Sequence, residues 1–169
     1  MAQHYILDGY NILHAIPKYA DIVIRDRESA RKQLEQDVEL YCRTGEIEVT
    51  IVYDSKRFPN AFADFIDTKQ PVIVFTSIVQ EADDYIIEAA EEIASAGTTI
   101  VSNDSKVLAG ASHAGCATMS AQEFVQLIRK KSVGTPGKRP EKYRKDSLSR
   151  DEVDEWLNLF GQDDSDDAE

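Results

Sequence analysis

Cysteine is scarce in this sequence. Its 169 residues include only Cys42 and Cys116. Two isolated thiols exclude a disulfide framework and show no metal-ligand spacing, so they read as small buried or half-buried side chains in a reducing compartment. No apolar run is long enough to span a bilayer. The opening MAQHYILDGYN lacks a basic stretch leading into an apolar one, so no secretory signal is expected. These absences predict a soluble cytoplasmic protein without a membrane partner. His4, His14 and His113 have no ligand spacing either, so an imidazole metal centre is not expected.

Positive charge is also short overall, with a formal net charge of -12. Taken whole, that opposes nucleic-acid binding, but the charge is unevenly spread. Between Arg129 and Arg150 nine bases face two acids, a local excess of seven positive charges. From Asp151 onward there are nine acids and no base, and residues 1–128 carry a net of ten negative charges. A basic segment followed by an acidic tail invites a local reading of each part.

What the chain does have is an alternation of apolar runs and helical periodicity. HYIL (4–7), IEVTIVY (47–53), PVIVFT (71–76), TTIVS (98–102) and CATM (116–119) read as strands, the last as a short edge strand. Helices are expected over 28–44, 81–96, 105–114 and 120–131, with Gly45 and Gly97 as stops and Ser120 with Glu123 as a capping box. Gly9 reads as a tight turn, and 56–65 as a loop or short helix. There is no internal repeat. Strands alternating with helices predict an α/β fold, a three-layer α/β/α sandwich on a mainly parallel sheet. The expected domain is 1–131. Residues 132–150, rich in Pro, Gly, Ser and base, predict an extended basic arm. Residues 151–169 predict a short acidic amphipathic helix, suited to a protein partner, and a disordered tail.

Acidic patches fall where such a sheet binds ligands, beyond the carboxyl ends of its strands. Asp8 closes the first strand and Asp54 the second. Glu81, Asp83 and Asp84 follow the third, and Asp104 follows the fourth. Carboxylates gathered there make a negative pocket suited to a hard divalent cation. Such an ion lowers the pKa of water for attack on phosphorus and offsets charge on the leaving oxygen. Tyr10 and His14 lie near the first acid in sequence and Arg57 just after the second; the plain reading of His14 is a surface or packed histidine, and the sharper one is a phosphate contact.

DGYN (8–11), VYD (52–54), EADDYI (81–86) and SND (102–104), in this order, resemble the NYN domains of the YacP-like group, within the PIN-like ribonuclease superfamily. The resemblance spans about residues 5–128 and leaves the C-terminal arm outside. It implies a PIN-like fold and an endoribonuclease dependent on Mg²⁺ or Mn²⁺. By position, Asp8, Asp83 and Asp104 match the family's metal-binding acids. Asn11 matches the polar residue that orients the first acid or a water. Asp54 and Glu81 match more variable accessory acids, and Asp84 is a further candidate ligand. One departure is visible: the family's Ala-Asp-x-x-Ile-Glu has its second acid one position later here, at Glu88.

The expected function is hydrolysis of RNA phosphodiester bonds by metal-activated water. Lys138, Arg139, Lys142, Tyr143, Arg144 and Lys145 would bind the RNA strand, free or on the ribosome, through charge and stacking. The alternative is a non-catalytic RNA- or ribosome-binding adaptor on the same fold, which the displaced Glu88 favours. A phosphomonoesterase would want a second aspartate two residues after the first, and Tyr10 stands there.

Overall fold

The strand β1 (Gln3–Asp8) is the centre of a five-stranded sheet ordered β3-β2-β1-β4-β5, built with β2 (Ile47–Tyr53), β3 (Val72–Phe75), β4 (Thr98–Val101) and β5 (Ala117–Met119). Every pairing is parallel. The register aligns the carboxyl ends: Asp8 lies opposite Val52, Leu7 opposite Val101, Tyr53 opposite Phe75, and Val101 opposite Met119. This computed structural model describes residues 2–58, 70–95 and 97–134. They belong to one compact unit, Met1–Thr135.

Alternation along β1 sends its side chains to two cores. Tyr5 and Leu7 join Val49, Ile51 and Tyr53 beneath α1 (Gly9–Ala15), α2 (Pro17–Val23), α3 (Arg27–Cys42) and α6 (Ala121–Gly134). Ile6, Val52 and Ile100 face α4 (Ala82–Ile93) and α5 (Ser105–His113) on the other side. Burying a Leu or Ile side chain is worth about 1.5–3 kcal/mol, so both helical layers are held mainly by this contact with the sheet. The result is the expected three-layer α/β/α architecture. Among the described residues, no helix is long and apolar enough to cross a membrane.

Several elements form for the reasons legible in the sequence. Ala30, Leu34, Val38 and Tyr41 form the buried stripe of α3, whose start is capped by Asp26 accepting the Glu28 N–H at 3.0 Å. Ser120 and Glu123 make the reciprocal capping box of α6. The Ser120 N–H donates to Glu123 Oε2 at 2.8 Å, and the Glu123 N–H donates to Ser120 Oγ at 3.2 Å.

Three expectations are corrected. Gly9 is not an isolated tight turn but the first residue of α1, which is followed directly by α2 with Pro17 at its start. Gly97 does not stop α4. Ala94 does, in the left-handed region at φ 37°, its N–H donating to the Ala90 carbonyl at 2.8 Å. Helix α6 runs three residues past the expected end at 131. Most of the 56–65 segment, the basic arm and the acidic helix lie outside the described residues.

Candidate active site

The strand order reverses at β1, because β2 and β3 lie to one side and β4 and β5 to the other. A crevice at such a switch point is the usual ligand site of an open parallel sheet. Asp8 stands at its floor, only 4% exposed. It caps α1 by accepting the Asn11 N–H at 3.4 Å on Oδ1, and accepts the Ser102 hydroxyl at 3.1 Å on Oδ2. Burial, then the Asp83 charge and more weakly Asp104, push Asp8 up to about 6, against the two hydrogen bonds. A glycine must follow it, since a Cβ on Gly9 would stand 2.4 Å from the Tyr53 ring.

Asp104 arrives from the end of β4. Its Oδ1 caps α5 by accepting the N–H groups of Lys106 and Val107 at 2.8 and 3.2 Å. Asp83 arrives from the first turn of α4. Its own partial burial and the Asp104 charge hold its pKa up, with Glu81 and Asp84 adding to that against Lys106. Asp83 and Asp104 thus lie close enough to Asp8 for their charges to raise its proton affinity, and Asp104 close enough to Asp83 to do the same there.

The other acids do not join this trio equally. Glu81 occupies the cap position of α4 but makes no side-chain cap bond. Asp84 is ion-paired with Lys106 at 2.9 Å, both side chains being exposed. Asp54 closes the turn after β2 by accepting the Lys56 N–H at 2.9 Å. Glu88 accepts the Gln80 amide at 2.8 Å and shares a cleft of about 560 Å³ with Ser77, Val79, Gln80, Asp84 and Ile87. One residue of helix is about 100° of rotation, so Glu88 stacks four residues beyond Asp84, while position 87 stacks beyond Asp83. Ile87 fills that place and packs over Gly110 of α5, where a Cβ would meet it at 2.9 Å.

Asn11 contacts both Asp8 and the loop after β4. Its backbone reaches Asp8, while its side-chain oxygen accepts the Asn103 N–H at 2.8 Å. Its amide nitrogen is left as a donor. Two residues of the SND motif besides Asp104 matter here and were not singled out from the sequence. Ser102, fully buried, accepts the Asp104 N–H at 3.0 Å while donating to Asp8. Asn103 ties the loop to α6 through Gln122 at 2.9 Å and the Ala121 N–H at 2.9 Å. Their polar character beside a buried acid was the available signal.

Among the described residues, no three His, Cys, Asp or Glu side chains stand as a finished ligand group for a metal ion. The donor set nevertheless fits a hard divalent cation. It is all oxygen, and Asp8 has acceptor capacity beyond its two hydrogen bonds. Mg²⁺ keeps several waters and takes only one or two carboxylates, so a closed cage is not required. Lys138, Arg139, Lys142, Tyr143, Arg144 and Lys145 lie outside the described residues.

Comparison with known proteins agrees with this architecture. Two solved structures share the fold. Rae1 (YacP) from Bacillus subtilis is 21% identical with a TM-score of 0.65, covering 93% of this chain and 91% of that one. A point mutant of the same protein is 20% identical with a TM-score of 0.65, covering 77% and 76%. No curated protein matches the chain in sequence. The YacP-like NYN domain matches residues 5–160, well past residue 128, so the match takes in the basic arm that the motifs alone left out. The chain therefore belongs to the YacP-like NYN domain family, which is of the PIN-like ribonuclease type.

Proposed function

We propose that the chain is a divalent-metal-dependent endoribonuclease, a hydrolase of RNA phosphodiester bonds. The observation that carries this is Asp8, a buried carboxyl at the sheet's switch point whose proton affinity is raised beside Asp83 and Asp104. Helix capping accounts for Asp8 and Asp104 singly, but not for gathering them with Asp83 at one crevice, where their charges repel and a cation would relieve them.

Asp8, Asp83 and Asp104 would hold Mg²⁺ or Mn²⁺, with Glu81 and Asp84 at the rim and Asp54 as a more distant accessory acid. The ion, when bound, would supply a water acidified for in-line attack and neutralise charge on the leaving oxygen. Ser102 fixes the Asp8 carboxylate from below and spaces it from Asp104. Asn11, held through Asn103, presents its amide nitrogen as a donor for a phosphate oxygen. The basic segment 132–150 supplies the attraction for RNA that the net charge conceals. RNA, free or on the ribosome, is the partner on this reading, and the cytoplasm the setting.

The test is incubation of the full chain with mixed single-stranded and structured RNA in Mn²⁺ or Mg²⁺, beside the Asp8→Asn and Asp104→Asn variants. Cleavage is expected in the parent and a loss of at least about 100-fold in each variant, the scale of losing a positioned charge at a reacting centre. Equal activity in all three chains would sink the proposal. A second reading, an RNA-binding adaptor without catalysis, is favoured by Ile87, which fills the place where the family pattern has an acid. It requires salt-sensitive RNA binding with no turnover at any metal concentration.

A further inference from the structure

We propose that Arg57 and His14, gathered on the ring of Tyr10, form a subsite for an RNA phosphate flanking the scissile one, on the β2 side of the acid crevice. This rests on the nuclease reading above for the identity of the strand, and it adds a site outside the acids.

The placement follows from the topology. Tyr10 comes two residues after Asp8, on α1. Arg57 lies in the turn that leaves β2, with its N–H donating to the Asp54 carbonyl at 3.0 Å. Since Asp8 lies opposite Val52, this turn borders Asp8 on the side away from β4 and Asp104. Asp104 stands on the β4 flank of Asp8, and this cluster, which shares its turn with Asp54, occupies the β2 flank.

The geometry is that of a held guanidinium. Arg57 Cζ stands 4.9 Å from the Tyr10 ring centroid. His14, one turn further along α1, meets the same ring at 4.2 Å. Below Tyr10 lies Phe58, with ring centroids 6.2 Å apart, and Phe58 in turn packs on Tyr53 at 5.1 Å. Phe58 and Tyr53 are core residues, so the platform is anchored to the fold. Arg57 and His14 themselves are exposed.

A plain packing role is the competing account, because an arginine often lays its stem or face on an aromatic. Two observations favour a ligand. Arg57 makes no ion pair among the described residues, although residues 1–128 carry ten net negative charges. Asp54, three residues before it, turns its carboxylate to the Lys56 N–H instead. A guanidinium held over a ring at this distance still has five N–H donors, more than the ring can use, and its fork matches phosphate oxygens in pairs. His14 adds a further donor beside it. In so acidic a domain, a cation next to the reaction crevice with no ion pair among the described residues is where a polyanion would be held.

The experiment measures binding of a short single-stranded RNA to the full chain carrying Asp8→Asn, across a range of salt, so that cleavage does not intervene. Adding Arg57→Ala is expected to weaken binding about tenfold, the scale of a charged hydrogen-bonded pair. It should also lower the slope of log affinity against log salt by about one. Arg57→Lys should keep the slope and lose part of the affinity. Tyr10→Leu, which removes the ring but not the cation, should weaken binding several-fold with the slope retained. Unchanged affinity and slope in Arg57→Ala would overturn the subsite. Metal-dependent cleavage by the parent, measured alongside, separates the two proposals. A parent that cleaves with the same KM after Arg57→Ala leaves the nuclease and removes the subsite. A parent that binds RNA through Arg57 yet never cleaves removes the nuclease and leaves the subsite. A parent that neither binds nor cleaves RNA overturns both.

Discussion

Ser102, fully buried at the end of β4, donates its hydroxyl to Asp8 Oδ2 across the β1–β4 junction at 3.1 Å. Ser102 Oγ in turn accepts the Asp104 N–H at 3.0 Å, so one side chain sets the spacing of two acids. Ser102→Ala removes a donor that lowers the Asp8 pKa and leaves a buried carboxylate oxygen without its partner. The loss expected is about 1–3 kcal/mol at pH 7, the usual cost of an unsatisfied buried group. It should shrink at pH 4.5, where Asp8 is mostly protonated. Urea denaturation at the two pH values measures both, and an alanine variant as stable as the parent at pH 7 would contradict the role.

Asp8 itself should weaken the metal-free fold at neutral pH. Its pKa is about 6 in the folded chain against an ordinary 3.8, so the folded state binds the proton more tightly. Stability from this group is therefore greatest below pH 3.8 and falls as pH climbs from 3.8 to 6. Above that window the charged form costs about 3 kcal/mol. Asp8→Asn keeps the shape and an acceptor for Ser102 while removing the charge. In a chelator at pH 7 the Asn variant should melt higher than the parent, and the difference should vanish near pH 4. Added Mn²⁺ should then raise the parent's Tm and leave the variant's nearly unmoved. A parent and variant with the same pH profile would show that Asp8 is not under this strain.

The acids at the strand ends were legible because a parallel sheet puts all carboxyl ends at one edge, and runs such as VTIVY announce the strands. The capping box at Ser120 was legible because both of its halves are local. What escaped was set by contacts distant in sequence. Ser102 meets Asp8 across 94 positions. The helices α1 and α2 are only seven residues each, with Pro17 interrupting what would have been one periodic stripe of Ile12, Leu13, Ile16 and Tyr19. Ala94 in a left-handed conformation, where glycine is the usual residue, gave no local signal for the end of α4.

Gly9 looked like punctuation, but the reason for it is Tyr53 on the neighbouring strand. A Cβ at position 9 would meet Tyr53 Cε1 at 2.4 Å and Ile51 Cγ2 at 3.0 Å. Gly9→Ala should cost about 1–3 kcal/mol as overpacking against a rigid ring. It should also displace α1, and with it Asn11 and Tyr10, from the crevice. A double-mutant cycle with Tyr53→Leu isolates the contact: the alanine should cost less once the ring is gone. An equal cost in both backgrounds would show that the strain arises elsewhere.

The two thiols complete the picture of the core. Cys42 packs in the layer of α3 and α6, and Cys116 in the layer of α4 and α5, with the sheet between them. No disulfide can join them without unfolding. Burial pushes the Cys42 thiol up to about 11, so at pH 8 only about one molecule in a thousand carries the reactive thiolate even before access is considered. A thiol-specific reagent should therefore label neither cysteine in the native chain on the timescale that labels both in denaturant. Labelling of Cys42 would then report opening of the layer that also holds α1. Since Gly9→Ala strains that layer and not the one behind the sheet, it should speed the labelling of Cys42 more than that of Cys116, if the two layers open separately. Equal acceleration at both cysteines would instead make the two cores one cooperative unit, opening only when the sheet between them does.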